Sequence, residues 1–411
     1  MSTASNDISV SSFSPELGVR TTWEILWSCI VVVFTCTWIS VHPNIPNPSD
    51  GWFKTTSRRI ETMLFALFAP EYMLMCAIEQ WVVAGKVARR FKKYRWTRAH
   101  GFFFLMGGFV IWDTSKDRPV CVLTKMDDPK SPHDLSRCLA SGQISITKAE
   151  IYDRSKRDFI SKALVVFQVT WFILQIIARA IQKLPVSELE LMALAFAIVN
   201  IAIYAVWWYK PVDVGFPVPV YLSPSNNSNA SATAASSTSE KEDASLLNQN
   251  PQRESLLDAD SEAQSCKDEE DVHIWKQWKG LRPVPMFHSS ELMEDDIQHS
   301  SGTTRAGFAV SIVAILLGGL HCIAWNFDFP THTEQTLWRY SSITLTIFPV
   351  ALIPISLLFL ITLWEKLIFV SLVLWYGSAR IILLIEPFIL LRALPPGAFQ
   401  TVRWTDFIPH L

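Results

Sequence analysis

Charge is the first thing this chain is short of. Only 18% of its 411 residues are Asp, Glu, Lys or Arg, and a soluble chain of this length would carry more. Paired cysteines are missing as well. Seven is an odd count, none stands in a C-x-x-C pair, and Cys29, Cys36, Cys76 and Cys322 lie inside apolar runs. That pattern excludes a disulfide framework and a zinc site, and it suits thiols packed as small hydrophobes. Nucleophile elbows, Walker loops, H-E-x-x-H and paired-carboxylate metal motifs are also lacking, and "VHPN" (41–44) makes no metal box. No metal or cofactor is expected, and nothing argues for an enzyme.

What the chain has instead is oil, gathered into runs of about twenty residues, the length a helix needs to cross about 30 Å of hydrocarbon. Half the residues are hydrophobic. Many of the 17 Trp stand where a run meets its flank, at Trp23, Trp81, Trp207, Trp208, Trp325, Trp338 and Trp364. An indole prefers that headgroup level. The expected fold is an all-α integral membrane protein with about seven transmembrane helices, over 22–41, 60–85, 160–181, "LELMALAFAIVNIAIYAVWW", 306–325, 342–362 and 366–391.

Between the runs lie segments of other character. Residues 1–20 are Ser-rich, and Pro43, Pro46 and Pro48 make 42–59 an irregular, fixed loop. Residues 86–146 read as a membrane-proximal insert, because "GFFFLMGGFVIW" and "PVCVLT" flank a polar turn and are too short to span. A β-hairpin is expected there. Two capping boxes, Thr147 with Glu150 and Ser187 with Glu190, open helices in a 147–210 hairpin unit, the first running on into the third crossing. Residues 211–304 form an acidic loop expected to be largely disordered and able to tether a protein partner. The unit 305–391 carries the last three crossings, and 392–411 is a short tail.

Orientation follows from "GKVARRFKKYRWTR" (85–98), whose seven cations beside the second run favour the cytoplasm. Seven crossings then put the N-terminus, 86–160 and the acidic loop inside, and 42–59 and the C-terminal tail outside. The sequons at Asn226 and Asn229 would stay unmodified. Six crossings result if the Glu-bearing second run does not span, and the first loop then faces the cytoplasm.

Several stretches together resemble a broad family of uncharacterised fungal multi-pass membrane proteins: "WEILWSCIVVVFTCTWISVHPNIP", "APEYMLMCAIEQW", "HGFFFLMGGF", the long 145–211 segment and the terminal "LRALPPGAFQTVRWTDFIPH". The resemblance implies a filamentous-fungal source and a domain recurring as one unit. It implies no activity, cofactor or substrate.

The chemistry rests on polar residues inside apolar runs. A charge at the bilayer centre costs about 2.5–3.5 kcal/mol on insertion scales, so it needs a partner or a function. Glu79 can snorkel toward the basic block; Glu71 cannot, and Arg380 is the cation at matching depth in "LVLWYGSARIILLIEPF". A structural ion pair is the plain reading, an ion or proton path the sharper one. Pro70 beside Glu71 reads as a kink. Gln168, Trp171, Gln175 and Arg179 share a helical face, and Ala193, Ala197 and Asn200 follow on the next helix; polar glue between helices accounts for them. His321 is a weak proton-relay or metal candidate, lacking a second His at i+3 or i+4. Arg89, Arg90, Lys92, Lys93 and Arg95, interleaved with Phe91, Tyr94 and Trp96, suit anionic lipid headgroups at about 1 kcal/mol per basic residue near the surface. The plain alternative is that they only hold a helix end inside. Nucleic acid is not expected. A membrane-organising scaffold, a transporter or channel using Glu71 and Arg380, and a lipid-modifying enzyme all fit, in that order.

Overall fold

Proline has no amide hydrogen and its ring clashes with the preceding turn, so a helix interior tolerates it poorly. The structure, a computed structural model, describes residues 19–39, 41–127, 134–155, 159–221, 278, 281–286, 302–357 and 363–407. In it Pro70 is the first residue of a helix, where the missing N–H would have had no partner anyway. α2 (Trp52–Phe68) stops at Ala69, α3 (Pro70–Arg90) begins, and the axes turn by 111°. The expected single crossing over 60–85 is therefore a broken pair. Of the stretches expected to be disordered, 1–20 and much of 211–304, residues 1–18 and most of the acidic loop, with Asn226 and Asn229, lie outside the described residues, whereas Arg20 is bonded and Val218–Tyr221 is a strand.

The protein is mainly helical. α1 (Thr22–Phe34) continues into a π-helical turn, Thr35–Ile39. α4 (Arg98–Leu105), α5 (Leu135–Ala140) and α6 (Lys148–Asp153) are short. α7 (Phe159–Ile181), α8 (Glu188–Val206), α9 (Gly302–His321), α10 (His332–Leu357) and α11 (Leu363–Leu390) are long. Among the described residues three segments, Ala163–Ile181, Glu188–Val206 and Val370–Ala393, are long and apolar enough to cross a membrane, or up to four if the bent pair counts as one span. The expectation of seven is overturned. The second run is broken at Pro70, and the apolar helices Thr22–Trp38 and Ser311–Asn326 are short. Nor are all the tryptophans at the rim. Trp23 and Trp208 are exposed, but Trp207 and Trp338 are fully buried in the core.

Both capping boxes form. Glu150 N–H donates to Thr147 Oγ1 at 3.3 Å and Thr147 N–H to Glu150 Oε2 at 2.7 Å; the Ser187–Glu190 pair repeats this at 3.3 and 2.9 Å. α6 does not run on as expected, because Ser155 leaves the helix. Its hydroxyl donates to the Val212 carbonyl at 2.8 Å and accepts from the Val212 amide at 3.0 Å.

The insert holds the expected hairpin and one strand more. β1 (Phe109–Asp113) pairs antiparallel with β2 (Arg118–Val122), with a register shift between Ile111 and Trp112. β3 (Val218–Tyr221) joins the other side of β1 in parallel, giving the order β2-β1-β3. Pro219 is admissible there because β3 is an edge. Phe102, Phe103, Phe104 and Phe109 are fully buried in one cluster with Val83, Ala84 and Val87, so the C-terminal half of α3 is a wall of the insert. The helices meet backbone to backbone at Gly101, where an added Cβ would lie 2.3 Å from the Ala84 carbonyl oxygen.

Hydrogen bonds sort the chain into two ends. At one, Arg20 pairs with Glu190 and donates to the Ala398 carbonyl at 2.7 Å, Arg179 donates to the Gln400 carbonyl at 2.7 Å, and Arg392 meets Glu334 at 2.6 Å. At the other, the Ile45 amide donates to the Met106 carbonyl at 3.1 Å and Asn44 Nδ2 to the Pro285 carbonyl at 2.8 Å. The Pro-rich stretch 41–51 is therefore fixed onto the insert, and the rest of the expected loop, from Trp52 on, is helix α2. That corrects its placement on the opposite side from 86–160. The chain enters α2 and leaves α3 at the same end, so the bent pair turns back toward the insert.

Gly101→Ala should lower the thermal midpoint in detergent, at a cost of about 1–3 kcal/mol for forcing α3 and α4 apart. Gly377→Ala, where an added Cβ meets nothing within 4 Å, should leave it unchanged.

Candidate functional site

The break at Pro70 places Glu71 in the first turn of α3, where the helix dipole favours a carboxylate. On α11, Tyr376 and Arg380 stand four residues apart and share a face. Arg380 Nη1 lies 3.5 Å from Glu71 Oε1, and the Tyr376 hydroxyl donates to Glu71 Oε2 at 3.0 Å. Both carboxylate oxygens thus face a donor. The Arg380 guanidinium also lies 5.3 Å from the Phe196 ring centroid on α8, and the Phe348 ring of α10 packs on Tyr376 at 4.6 Å. Glu71 is 9% and Arg380 4% exposed. Chemically this is a closed clasp: its charges are used on one another and walled by aromatic rings.

The other polar residues are spread out. Glu79 is half-buried on α3, two turns beyond Glu71. Gln168 and Gln175 are half-buried on α7, whose polar face receives the C-terminal tail: Trp171 stacks on Trp404 at 5.0 Å, and buried Arg179 donates to the carbonyls of Pro185, Ala398 and Gln400. Ala193 and Ala197 are fully buried in a cluster with Cys29 and Val32 of α1. Asn200 is buried nearby. His321 donates from Nδ1 to the Leu317 carbonyl at 2.8 Å, and its own carbonyl accepts from Trp338 Nε1 at 2.9 Å. Among the described residues no group of three His, Cys, Asp or Glu could hold a metal ion.

Arg89, Arg90, Lys92, Lys93 and Arg95 are all exposed at the end of α3 and the turn after it. Arg90 is tied to Asp127 at 2.7 Å. The interleaved aromatics behave differently from a headgroup-binding set: Phe91 and Trp96 are buried, Trp96 stacking on Phe109 at 5.9 Å, and they anchor the turn to the insert. The cations alone face outward.

Two participants escaped the sequence reading. Tyr376 carries only the weak signal of standing one turn before Arg380. Lys210, in "WWYKP", is fully buried. Its Nζ donates to Gln80 Oε1 at 3.0 Å and lies 4.5 Å from the Trp207 ring centroid, a cation–π contact. Burial pushes its pKa down to about 7.

Residues 1–93 and 85–248 match the model described as "Family of unknown function (DUF8562)". No curated protein and no solved structure matches the chain.

Removing one partner of a buried pair strands the other charge. Glu71→Gln or Arg380→Gln alone should therefore destabilise the fold by about 3–5 kcal/mol, and the double variant should recover much of the loss. Melting of the four forms in detergent reads this directly; single variants as stable as wild type would mean that water already reaches the carboxylate. Lys210 makes a pH prediction. Its folded pKa, about 7, is below the ordinary 10.5, so between those values the unfolded chain binds more protons. Stability should then rise with pH across that window. Lys210→Met should flatten the slope, and melting curves running parallel to wild type from about pH 7 to 10 would refute the burial effect.

Proposed function

The chain belongs to this family of unknown function, which brings no activity with it, and from that premise we propose a multi-pass integral membrane protein that organises the bilayer around it rather than carrying a solute. One observation carries the reading: both oxygens of Glu71 are engaged, by Arg380 and Tyr376, in a buried clasp. A transport path would want that carboxylate wet and free to exchange partners. Here it holds the re-entrant α2–α3 pair against α11.

Exposed apolar side chains support contact with lipid. Leu164, Phe167 and Ile181 on α7, and Leu374, Trp375 and Ile385 on α11, are all more than half exposed, a larger oily surface than a soluble monomer tolerates. In the proposed topology α7, α8 and the Val370–Ala393 segment of α11 cross, being long and apolar enough to do so, and α2–α3 re-enters. The cations at 89–95 mark the cytoplasmic end. They lie outward on a rigid turn and meet anionic headgroups there. The acidic stretch, on the same side in this topology, acts as a tether.

Reconstituted vesicles test both halves of the proposal. The protein should enrich anionic lipids around itself, and replacing Arg89, Lys92, Lys93 and Arg95 with Gln should reduce that enrichment, most at low salt. Unchanged enrichment would leave the block a topological signal only. Ion or solute flux that Glu71→Gln abolishes without unfolding the protein would replace organisation with transport.

A further inference from the structure

A second site lies away from the clasp, under the polar face of α2. There a cavity of about 500 Å³ opens between that helix, the Pro-rich loop, residues 213–215 and residues 283–286. Thr55, Arg58, Arg59 and Thr62 line it, at i, i+3, i+4 and i+7, which is one face of a helix. The opposite face is apolar and bare: Phe53 is 77%, Ile60 42%, Leu64 43% and Phe68 44% exposed. A helix with one oily face open and one cationic face roofed by protein is built to lie in the membrane surface.

The roof is fixed. Asn44 lines the cavity and is bonded to the Pro285 carbonyl, and Ile45 beside it is bonded to Met106. The charges are arranged for an anion. Arg58 is held at 2.5 Å by Asp50, which lies outside the lining. Arg59 faces Asp213 across a looser 3.7 Å and stacks on Trp38 at 4.9 Å, which holds its guanidinium plane. Lys54 also pairs with Asp50, at 2.5 Å, so three cations stand against two carboxylates and leave a net positive charge at the cavity, with two hydroxyls to complete a shell. Planar forked donors of this kind match phosphate oxygens, and the volume is that of a ligand pocket.

We propose that this cavity binds a phosphate-bearing headgroup, Arg58 and Arg59 taking the phosphate and Thr55 and Thr62 its remaining oxygens. The chemistry is shared by a phospholipid, whose chains would lie along the bare face of α2, and by a soluble phosphate ester. It is separate from the basic turn at 89–95, whose cations are exposed and do not line this cavity.

The full chain in phosphatidylcholine nanodiscs, with and without phosphatidic acid, separates these sources, with glycerol phosphate added from solution as a third arm. Wild type should retain phosphatidic acid through detergent exchange and gain thermal stability from it. Arg58→Gln with Arg59→Gln should weaken that retention roughly tenfold or more, for the loss of charge-assisted bonds, and Lys116→Gln, which removes an exposed cation of the hairpin turn, should not. Stabilisation by glycerol phosphate alone, lost in the same variant, identifies a soluble ester as the source. Because Arg58 partners buried Asp50, the arginine variant can fail to fold; Thr62→Trp, which fills the cavity and keeps both charges, then makes the test. Phosphate binding equal to wild type in a variant that melts like wild type overturns the site. So does a wild type that responds to neither ligand.

Discussion

The fold hangs on how the chain handles one proline and the carboxylate after it. Pro70 forces α2 to end, and the 111° turn leaves the first turn of α3 needing an anchor inside the apolar bundle. Glu71 supplies it, because a carboxylate at a helix N-terminus is favoured locally and, once bonded by Arg380 and Tyr376, is no longer an isolated buried charge. A buried ion pair of this sort adds little net stability over an apolar substitute. What it adds is position: α3 can meet α11 at this depth and register without stranding a charge.

With its start pinned in the bundle, α3 can serve two environments along one axis. It packs on α8 and α9 and reaches α11 through Glu71, and its later turns become the wall on which Gly101 and the phenylalanines of α4 pack. The insert is therefore not a detachable domain. Its core also takes in Val41 and Ile45 from the first loop and Val214 and Val220 from the segment after α8. The cavity beside α2 is a consequence of the same assembly. The bend at Ala69 brings the cationic face of α2 under the loops, and the loops are held there by backbone and amide hydrogen bonds to the insert side.

Much of this was legible where the cause is local. The capping boxes at Thr147 and Ser187 stood at their positions because three residues suffice to satisfy a helix start. The hairpin at 109–122 followed from apolar pieces flanking a polar turn, and the glycines expected to sit badly in a helix end one. The Gly107 amide closes onto Phe104 at 3.0 Å and the Gly108 amide onto Phe103 at 2.8 Å. The partners Glu71 and Arg380 could be named from depth along their runs; Tyr376 could not, because a tyrosine among aromatics announces no bond. Lys210 was hidden for the opposite reason, since a lysine just past a helix end ordinarily snorkels to water.

By itself the sequence determined which segments are oily, which loops are stiff, where helices begin, and which charges inside apolar runs must find partners, since each follows from chain geometry or from the cost of desolvating a polar group. Only the tertiary structure decided that the second run is two helices bent by 111°, that the first loop joins the insert, that Val218–Tyr221 adds a parallel strand to β1, and that two arginines of α2 share a cavity with residues more than two hundred positions away. The physical reason is range. A hydropathy run records how long and how oily a helix is. It carries no record of a 111° turn whose direction depends on contacts made by α11, more than three hundred residues later in the chain.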